Sequence, residues 1–142
     1  MTRTEAPRRQ LTELDRAAAF RTELRRFLRR TDEVTAKAGL TSQRYDLLLM
    51  LHAAESRGEV IRVTALCELL HLPQTAVTEL VKRAEEANLV ERRAFADDGR
   101  VSLLRVTATG ARRLKEAFDE LSDDRAALAE ALALLDERLR RR

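Results

Sequence analysis

Apolar residues recur at helical spacing along much of this chain, and this periodicity predicts a series of α-helices. The first run covers residues 11–38, where apolar positions are interspersed with many charged ones, and Gly39 ends it. A second run follows Thr41, which suits an N-cap, and extends to about Ser56; it is apolar on nearly every side. We therefore expect a long amphipathic helix followed by a helix buried in the centre of the fold.

The middle of the chain predicts a short strand and then two short helices. Residues 60–63 are largely β-branched, which favours a strand, and Thr64 suits the N-cap of a brief helix. Pro73 interrupts that helix and suits the first turn of another, over residues 74–87. Asn88 can adopt the left-handed conformation that ends it. Two helices joined by about three residues are typical of a helix-turn-helix.

The last third of the chain predicts a β-hairpin and two more helical segments. Residues 89–95 and 101–106 resemble strands, and the residues between them include an Asp-Gly step, which is a strong turn signal. Thr107 or Thr109 then caps a helix, and a break is expected near residues 122–124. The expected fold class is mainly α with a small β-hairpin (α+β).

The final helical segment carries a row of leucines. They follow one another at spacings of four, three and four residues, and they are Leu128, Leu132, Leu135 and Leu139. Such a row needs an apolar surface to pack against. It packs either within one subunit or against a second copy of the chain, and we expect the second arrangement because no other core is evident for this segment.

The composition agrees with one helical domain, which we expect in the cytoplasm. The 142 residues are 44% hydrophobic and 36% charged but only 4% aromatic, which is typical of long, ion-paired helices. No apolar run is long enough to span a membrane, and the first residues lack the apolar segment of a secretory signal. Cys67 is the single cysteine, and its leucine-rich surroundings favour a buried core thiol over a redox sensor.

Patterns of catalytic or metal-binding residues are not found in the sequence. Serine, histidine and aspartate occur, but none lies in a nucleophile elbow, and there is no phosphate-binding glycine loop. His52 and His71 have no cluster of cysteine or carboxylate ligands around them at metal-binding spacing. We therefore expect neither an enzyme nor a bound metal or cofactor. A net charge of +3 is too small to identify a partner.

The order of the predicted elements indicates a double-stranded DNA partner. A helix of a helix-turn-helix fits the major groove and contacts base edges there. The hairpin with a charged tip comes directly after it, and such a tip can reach the neighbouring minor groove. The two elements together would cover two grooves in each subunit.

The chain resembles the MarR family of bacterial transcription regulators from about residue 11 to its end. The resemblance is strongest between Thr64 and Gly110. It is carried, in order, by TALCELL (64–70), QTAVTELVKR (74–83), NLVER (88–92), DGR (98–100) and VTATG (106–110). Each of these patterns is loose, but their order and spacing make the combined signal strong.

The resemblance implies a winged helix-turn-helix in which the helix over residues 74–87 enters the major groove. The residues of this recognition helix that would face bases or phosphates are Gln74, Thr75, Thr78, Lys82 and Arg83. In the wing, the resemblance implies that Arg100 enters the minor groove, that Asp98 helps to hold the shape of the tip, and that Arg92 supports the base.

The resemblance also implies a domain organisation within one domain, 1–142. Residues 11–38 and 111–142 would be dimerisation helices, and residues 41–110 would form the winged helix-turn-helix lobe. A homodimer would place two recognition helices about 34 Å apart on a palindromic operator. The expected function is a transcription regulator, most simply a repressor, that can respond to a small-molecule effector. Tyr45 and His52 are candidate polar residues of an effector pocket.

Some positions depart from the family pattern. Glu79 stands where a basic or small polar residue is usual, and a carboxylate is repelled by phosphates, although it can accept a hydrogen bond from a cytosine amino group. Asn88 and Gly99 replace a more usual glycine and basic residue, respectively. The acidic residues near the expected interface, which are Glu79, Glu85, Glu86, Asp97 and Asp98, leave an alternative open. In that alternative, the chain is a winged-helix protein-interaction module that has lost DNA binding.

Overall fold

The structure is a computed structural model that describes residues 12–95 and 98–136. Within these residues it contains six helices and one antiparallel hairpin. The elements are, in order, α1 (Glu13–Lys37), α2 (Ser42–Ser56), α3 (Val63–Leu70), α4 (Gln74–Glu86), β1 (Val90–Phe95), β2 (Asp98–Val106), α5 (Ala108–Glu120) and α6 (Ser122–Leu135). The mainly helical fold class with a small hairpin is therefore confirmed.

The chain divides into two compact units, which we call unit 1 and unit 2. Unit 1 comprises the described parts of Met1–Arg30 and Ser122–Arg142, and unit 2 comprises those of Thr31–Leu121. Unit 2 therefore contains the helix-turn-helix and the hairpin. No helix in the described part of the chain is long and apolar enough to cross a membrane.

The helix caps and the left-handed residue predicted from the sequence are present in the structure. Thr41 caps α2, because its Oγ1 accepts a hydrogen bond from the backbone nitrogen of Arg44 at 3.1 Å. Thr107 caps α5 in the same way, with the backbone nitrogen of Gly110 at 3.0 Å. Asn88 adopts the left-handed conformation, with φ of 57°. These positions depend on short-range geometry, which is why the sequence alone identified them.

The strand expected at residues 60–63 is not formed. Val63 is the first residue of α3, Arg62 is its N-cap, and Thr64 lies inside the helix instead of capping it. A strand needs donors and acceptors on a neighbouring edge. On the outer edge of β2, the backbone N–H of Val106 already donates to Glu55 Oε1 at 2.9 Å. A side chain from α2 thus occupies a donor that a third strand would need.

The hairpin is longer than the sequence predicted. Residues 98–100, which we assigned to the turn, belong to β2, and Asp98 is paired with Phe95 across the ladder. The register shifts between Ala94 and Phe95. Pairing between the strands therefore continues past the Asp-Gly step and overrides the local turn preference. Residues 96–97 lie outside the described part of the chain.

Unit 2 is built around α2. Leu47 and Leu48 of this helix are fully buried, together with Leu66 of α3 and Val77 and Val81 of α4. The prediction that the second helix lies in the centre is confirmed. Cys67 is half-buried and packs against this core, as expected for a structural thiol.

Unit 1 has a different interior. Among its described residues, Asp124 in the first turn of α6 is the one that is buried, with 8% of its surface exposed. Its carboxylate accepts a hydrogen bond from Arg26 of α1 at 2.9 Å, and Arg30 lies 3.5 Å from the same oxygen. Arg26 also pairs with Glu23 at 2.6 Å, and this hydrogen bond lowers the pKa of Glu23 below its ordinary value.

Candidate nucleic-acid interface

A tight turn orients α4 against α3. His71 follows α3 in the left-handed conformation, with φ of 53°, and the backbone nitrogen of Leu72 donates to the carbonyl of Cys67 at 3.1 Å. Pro73 is the N-cap of α4, where its lack of an N–H costs nothing. The helix-turn-helix predicted from the sequence is therefore present.

One face of α4 is buried and the other is exposed. The buried face consists of Val77, Leu80, Val81 and Ala84. All five of the predicted contact residues of this helix are exposed, namely Gln74, Thr75, Thr78, Lys82 and Arg83. Gln74 is the first residue of α4, and the other four lie away from the buried face, as do Glu79 and Glu86. The helix thus presents hydroxyl, amide, cationic and carboxylate groups together to solvent.

The charged groups of the exposed face differ in their partners. Arg83 donates from Nε to Glu79 Oε1 at 3.0 Å, one helical turn earlier. Lys82 makes no hydrogen bond or ion pair within residues 12–95 and 98–136. A cation without a protein partner is the kind of group that a phosphate neutralises. The face is therefore able to bind an anion at Lys82 without breaking an existing contact.

An ion pair and backbone hydrogen bonds anchor the hairpin at its base. Arg92 of β1 donates from Nε to Glu85 Oε1 of α4 at 2.7 Å. On the other strand, Val106 is held by Glu55 of α2, as described above. Thr107 donates from Oγ1 to the carbonyl of Asn88 at 2.7 Å. The base of the hairpin is thus tied to α2, to α4 and to the segment between α4 and β1.

Gly110 is required for this arrangement. A Cβ built at this position would come within 2.2 Å of the carbonyl oxygen of Leu89, a backbone atom that cannot move aside easily. The backbone nitrogen of Thr107 donates to the same carbonyl at 3.0 Å. The start of α5 therefore packs directly on the segment that leads into β1.

Arg92 lies at the base of the hairpin, where its supporting role stays a prediction, and its partner was not predicted from the sequence. Glu85 had been counted among the acids that weigh against DNA binding, and it is half-buried and paired with Arg92. Glu55 was not considered at all. No periodicity indicates either contact, because each joins two elements whose relative position follows from tertiary packing.

The predicted residues at the tip are described only in part. The backbone of Asp98 and Arg100 belongs to β2. Their side chains lie outside what the structure describes, as do those of the other residues from 94 to 102. The roles of Asp98 and Arg100 stay predictions.

The two residues expected to line an effector pocket lie in different surroundings. Tyr45 is buried in the core of unit 2, and His52 is exposed on α2. A cavity of about 360 Å³ lies in unit 2 between the end of α2, residues 58–61 and β2. Its lining includes Leu51, Glu55 and Ile61, but neither Tyr45 nor His52.

In the described residues, no three His, Cys, Asp or Glu side chains form a group that could hold a metal ion.

Comparison with protein families supports the interpretation of unit 2. The model of the MarR family matches residues 38–101, a range that includes α2, the helix-turn-helix and the hairpin as far as β2. No curated protein matches the chain significantly in sequence.

Solved structures with the same fold extend the likeness to most of the chain. Wild-type MarR of E. coli in its apo form has a TM-score of 0.69 and 20% identity, covering 94% of this chain and 98% of that one. A mutant of E. coli MarR complexed with operator DNA has a TM-score of 0.67 and 20% identity, with coverages of 88% and 91%. A mutant of S. aureus MepR bound to an oligodeoxyribonucleotide has a TM-score of 0.65 and 17% identity, with coverages of 85% and 84%. The winged-helix fold predicted from the sequence is confirmed.

Proposed function

We propose that this chain, a winged-helix protein of the MarR family, is a transcription regulator that binds a palindromic operator as a homodimer and represses by occupying it. The observation that carries the proposal is the exposed face of α4. Its five predicted contact residues are exposed on a helix whose apolar face is buried, and Lys82 has no protein partner among the described residues. A helix with these groups on a rigid support suits the major groove.

The anchored hairpin supports the same function. Arg92 and Val106 tie the two strands to α4 and α2, so the wing extends from the same compact unit as the recognition helix. A wing held in this way can place Arg100 near a minor groove while α4 lies in the adjacent major groove. The two solved relatives that contain DNA, MarR and MepR, have this fold.

The homodimer is proposed from the apolar surface of unit 1. The large hydrophobic residues that are exposed in its described part are all leucines: Leu14, Leu28, Leu132, Leu134 and Leu135. Leu14 is 82% exposed in the single chain. Large exposed apolar side chains on helices are typical of surfaces that a partner covers. A second copy of the same helices would cover them and would set the spacing of the two recognition helices.

A small-molecule effector would act through the base of the wing. The cavity in unit 2 has a volume suited to a small ligand, and its lining includes Glu55, which holds the backbone of Val106. A ligand that bound better to one position of the wing than to another would shift the population of DNA-competent molecules. This route is independent of Tyr45 and His52, which stay predictions.

The test is selection of bound sequences from a random DNA pool by the purified chain, followed by titration of the selected site at two salt concentrations. We expect a palindrome and an affinity that falls steeply as salt increases. Lys82→Ala should weaken binding to all sequences and reduce the slope of the logarithmic salt dependence by about one. Arg100→Ala should also weaken binding.

Lys115→Ala is the matched control, because Lys115 of α5 is exposed and already paired with Asp119. It should leave affinity and salt dependence unchanged. If folded protein enriches no sequence even at low salt, the chain is instead a winged-helix protein-interaction module, and the proposal is wrong.

A further inference from the structure

Glu79 lies near the centre of the face that α4 presents to solvent. Because a helix turns by about 100° per residue, Thr75, Glu79, Lys82 and Glu86 fall on the side opposite the buried Val77, Leu80, Val81 and Ala84. A recognition helix that inserts this face into a groove therefore brings the carboxylate of Glu79 among the base edges. No rotation of α4 that keeps its apolar side buried removes Glu79 from the interface.

Arg83 offsets the charge of Glu79 and fixes one of its oxygens. The hydrogen bond from Arg83 Nε to Glu79 Oε1 measures 3.0 Å. Within the described residues, Glu79 Oε2 has no hydrogen-bond partner, and the two terminal nitrogens of Arg83 have none either. The pair thus presents one acceptor and several donors, and its net charge of zero reduces the repulsion that a lone carboxylate would meet near phosphates.

A contribution to the stability of the fold does not explain why Glu79 and Arg83 are paired. Both side chains are more than half exposed, at 61% for Arg83 and 54% for Glu79. An exposed pair one helical turn apart contributes little to folding. Its geometry instead leaves a single charged acceptor directed away from the core, in the middle of the proposed contact surface.

In the major groove, such an acceptor distinguishes between bases. Cytosine presents the N4 amino donor, whereas guanine presents the acceptors N7 and O6 and thymine presents the acceptor O4. Adenine presents its N6 donor beside the acceptor N7, which repels a carboxylate but suits an amide. A carboxylate therefore favours cytosine, and an amide in the same place favours adenine.

We propose that Glu79, held by Arg83, is a specificity-determining residue that selects cytosine in the operator by accepting a hydrogen bond from its N4 amino group. This inference rests on the proposed function, since it assigns a role to one residue of the same interface. It also explains how an acidic residue fits into a surface that otherwise suits phosphates.

The test compares the sequences that the wild type and the Glu79→Gln variant select from the same random DNA pool. The wild type should select cytosine at one position of each half-site, and replacing it should weaken binding roughly 5- to 150-fold, the equivalent of 1–3 kcal/mol. Glu79→Gln should change the preference at that position from cytosine to adenine, because an amide binds N6 and N7 together.

Glu86→Gln is the matched control, since it removes the same charge from the same helix but at its last residue, about 10 Å along the axis from Glu79 and away from the N-terminal part of a recognition helix that contacts base edges. It should raise the affinity for all sequences slightly and leave every preferred base unchanged. Arg83→Lys keeps the positive charge but loses the planar guanidinium that holds the carboxylate. It should reduce the discrimination in favour of cytosine without changing which base is preferred.

The outcomes separate this inference from the proposed function. If the wild type selects a palindrome and Glu79→Gln selects the same bases at every position, the role of Glu79 is wrong while DNA binding stands. A change of preference that also appears in Glu86→Gln would overturn it too, because removal of charge alone would then explain the result. If no variant and no wild-type protein selects DNA, the proposed function fails and the role of Glu79 fails with it.

Discussion

Unit 2 and unit 1 are stabilised in different ways. The interior of unit 2 includes leucine and valine side chains from α2, α3 and α4 that are fully removed from solvent. In the described residues of unit 1, the buried side chain is the carboxylate of Asp124, and five leucines remain exposed. Apolar burial drives folding far more effectively than a partly exposed ion pair does. Unit 2 can therefore be stable within one chain, whereas the exposed leucines of unit 1 are the surface that the proposed homodimer would cover.

In the proposed regulator, the two units have different roles. The residues of α4 that would contact DNA lie on the unit with the apolar core, so that core supports their helix. The leucines that would join two copies lie on the other unit. Specificity for bases then depends on unit 2, and the distance between half-sites depends on unit 1.

The largest expected effect on stability comes from a substitution in the core of unit 2. Leu48→Ala removes a fully buried side chain from the central helix and should lower the free energy of unfolding by about 2–5 kcal/mol. Urea denaturation at several protein concentrations measures the change, which should be the same at each concentration. Leu69→Ala is the control, because Leu69 is 49% exposed and its loss should cost much less. Equal effects of the two substitutions would contradict the position of the core.

The next effect concerns the leucines of unit 1. Leu132, which is 47% exposed in the single chain, would be covered in the proposed homodimer. Leu132→Glu places a charge in that interface and should weaken dimerisation about tenfold or more, which sedimentation equilibrium measures. The thermal unfolding of unit 2 should change little at concentrations where the wild type is also monomeric.

Ala126→Glu is the matched control for this prediction. Ala126 is exposed about 120° around α6 from Leu132, so the same charge there should leave the dimer intact. A wild-type chain that sediments as a monomer at high concentration would show that no second copy covers the leucines of unit 1, contrary to the proposed homodimer.

The smallest effect concerns the cluster of charged residues in unit 1 that Asp124 forms with Arg26 and Arg30. Asp124→Asn removes the charge that Arg26 and Arg30 face and should lower stability by about 1 kcal/mol, because the hydrogen bond from Arg26 loses its charged acceptor. Asp123→Asn is the control, since Asp123 lies in the same first turn of α6 but is exposed. Differential scanning calorimetry compares the two variants. If they are equally stable, the cluster does not hold α1 and α6 together.

Prediction from the sequence succeeded where short-range rules apply. Thr41, Thr107 and Asn88 have the capping and left-handed roles that their side chains favour, and the spacing of apolar residues located the helices to within a few residues. The exposed set on α4 was also predicted, since helical periodicity separates its two faces. The order of the elements followed from these local patterns and carried the resemblance to a family, and the fold confirms that order.

Prediction from the sequence failed where the conformation or the contacts of one element depend on another element. Residues 60–63 have strand propensity, but Glu55 of α2 occupies the donor of Val106 at the edge that they would need. The turn at residues 98–100 was misplaced because cross-strand pairing extends β2 to Asp98. Glu85 was counted as an unfavourable charge near DNA, although its contact with Arg92 holds the hairpin.

The amino-acid sequence by itself therefore determined the helices, their caps, the helix-turn-helix and the set of side chains on the exposed face of α4, because each depends on residues a few positions apart. The tertiary structure alone decided that Glu55 and Glu85 anchor the wing, that Gly110 must lack a Cβ, and that the leucines of unit 1 stay uncovered in a single chain. These features join residues that are far apart in sequence or depend on which surfaces meet. No local pattern of polar and apolar positions encodes such contacts.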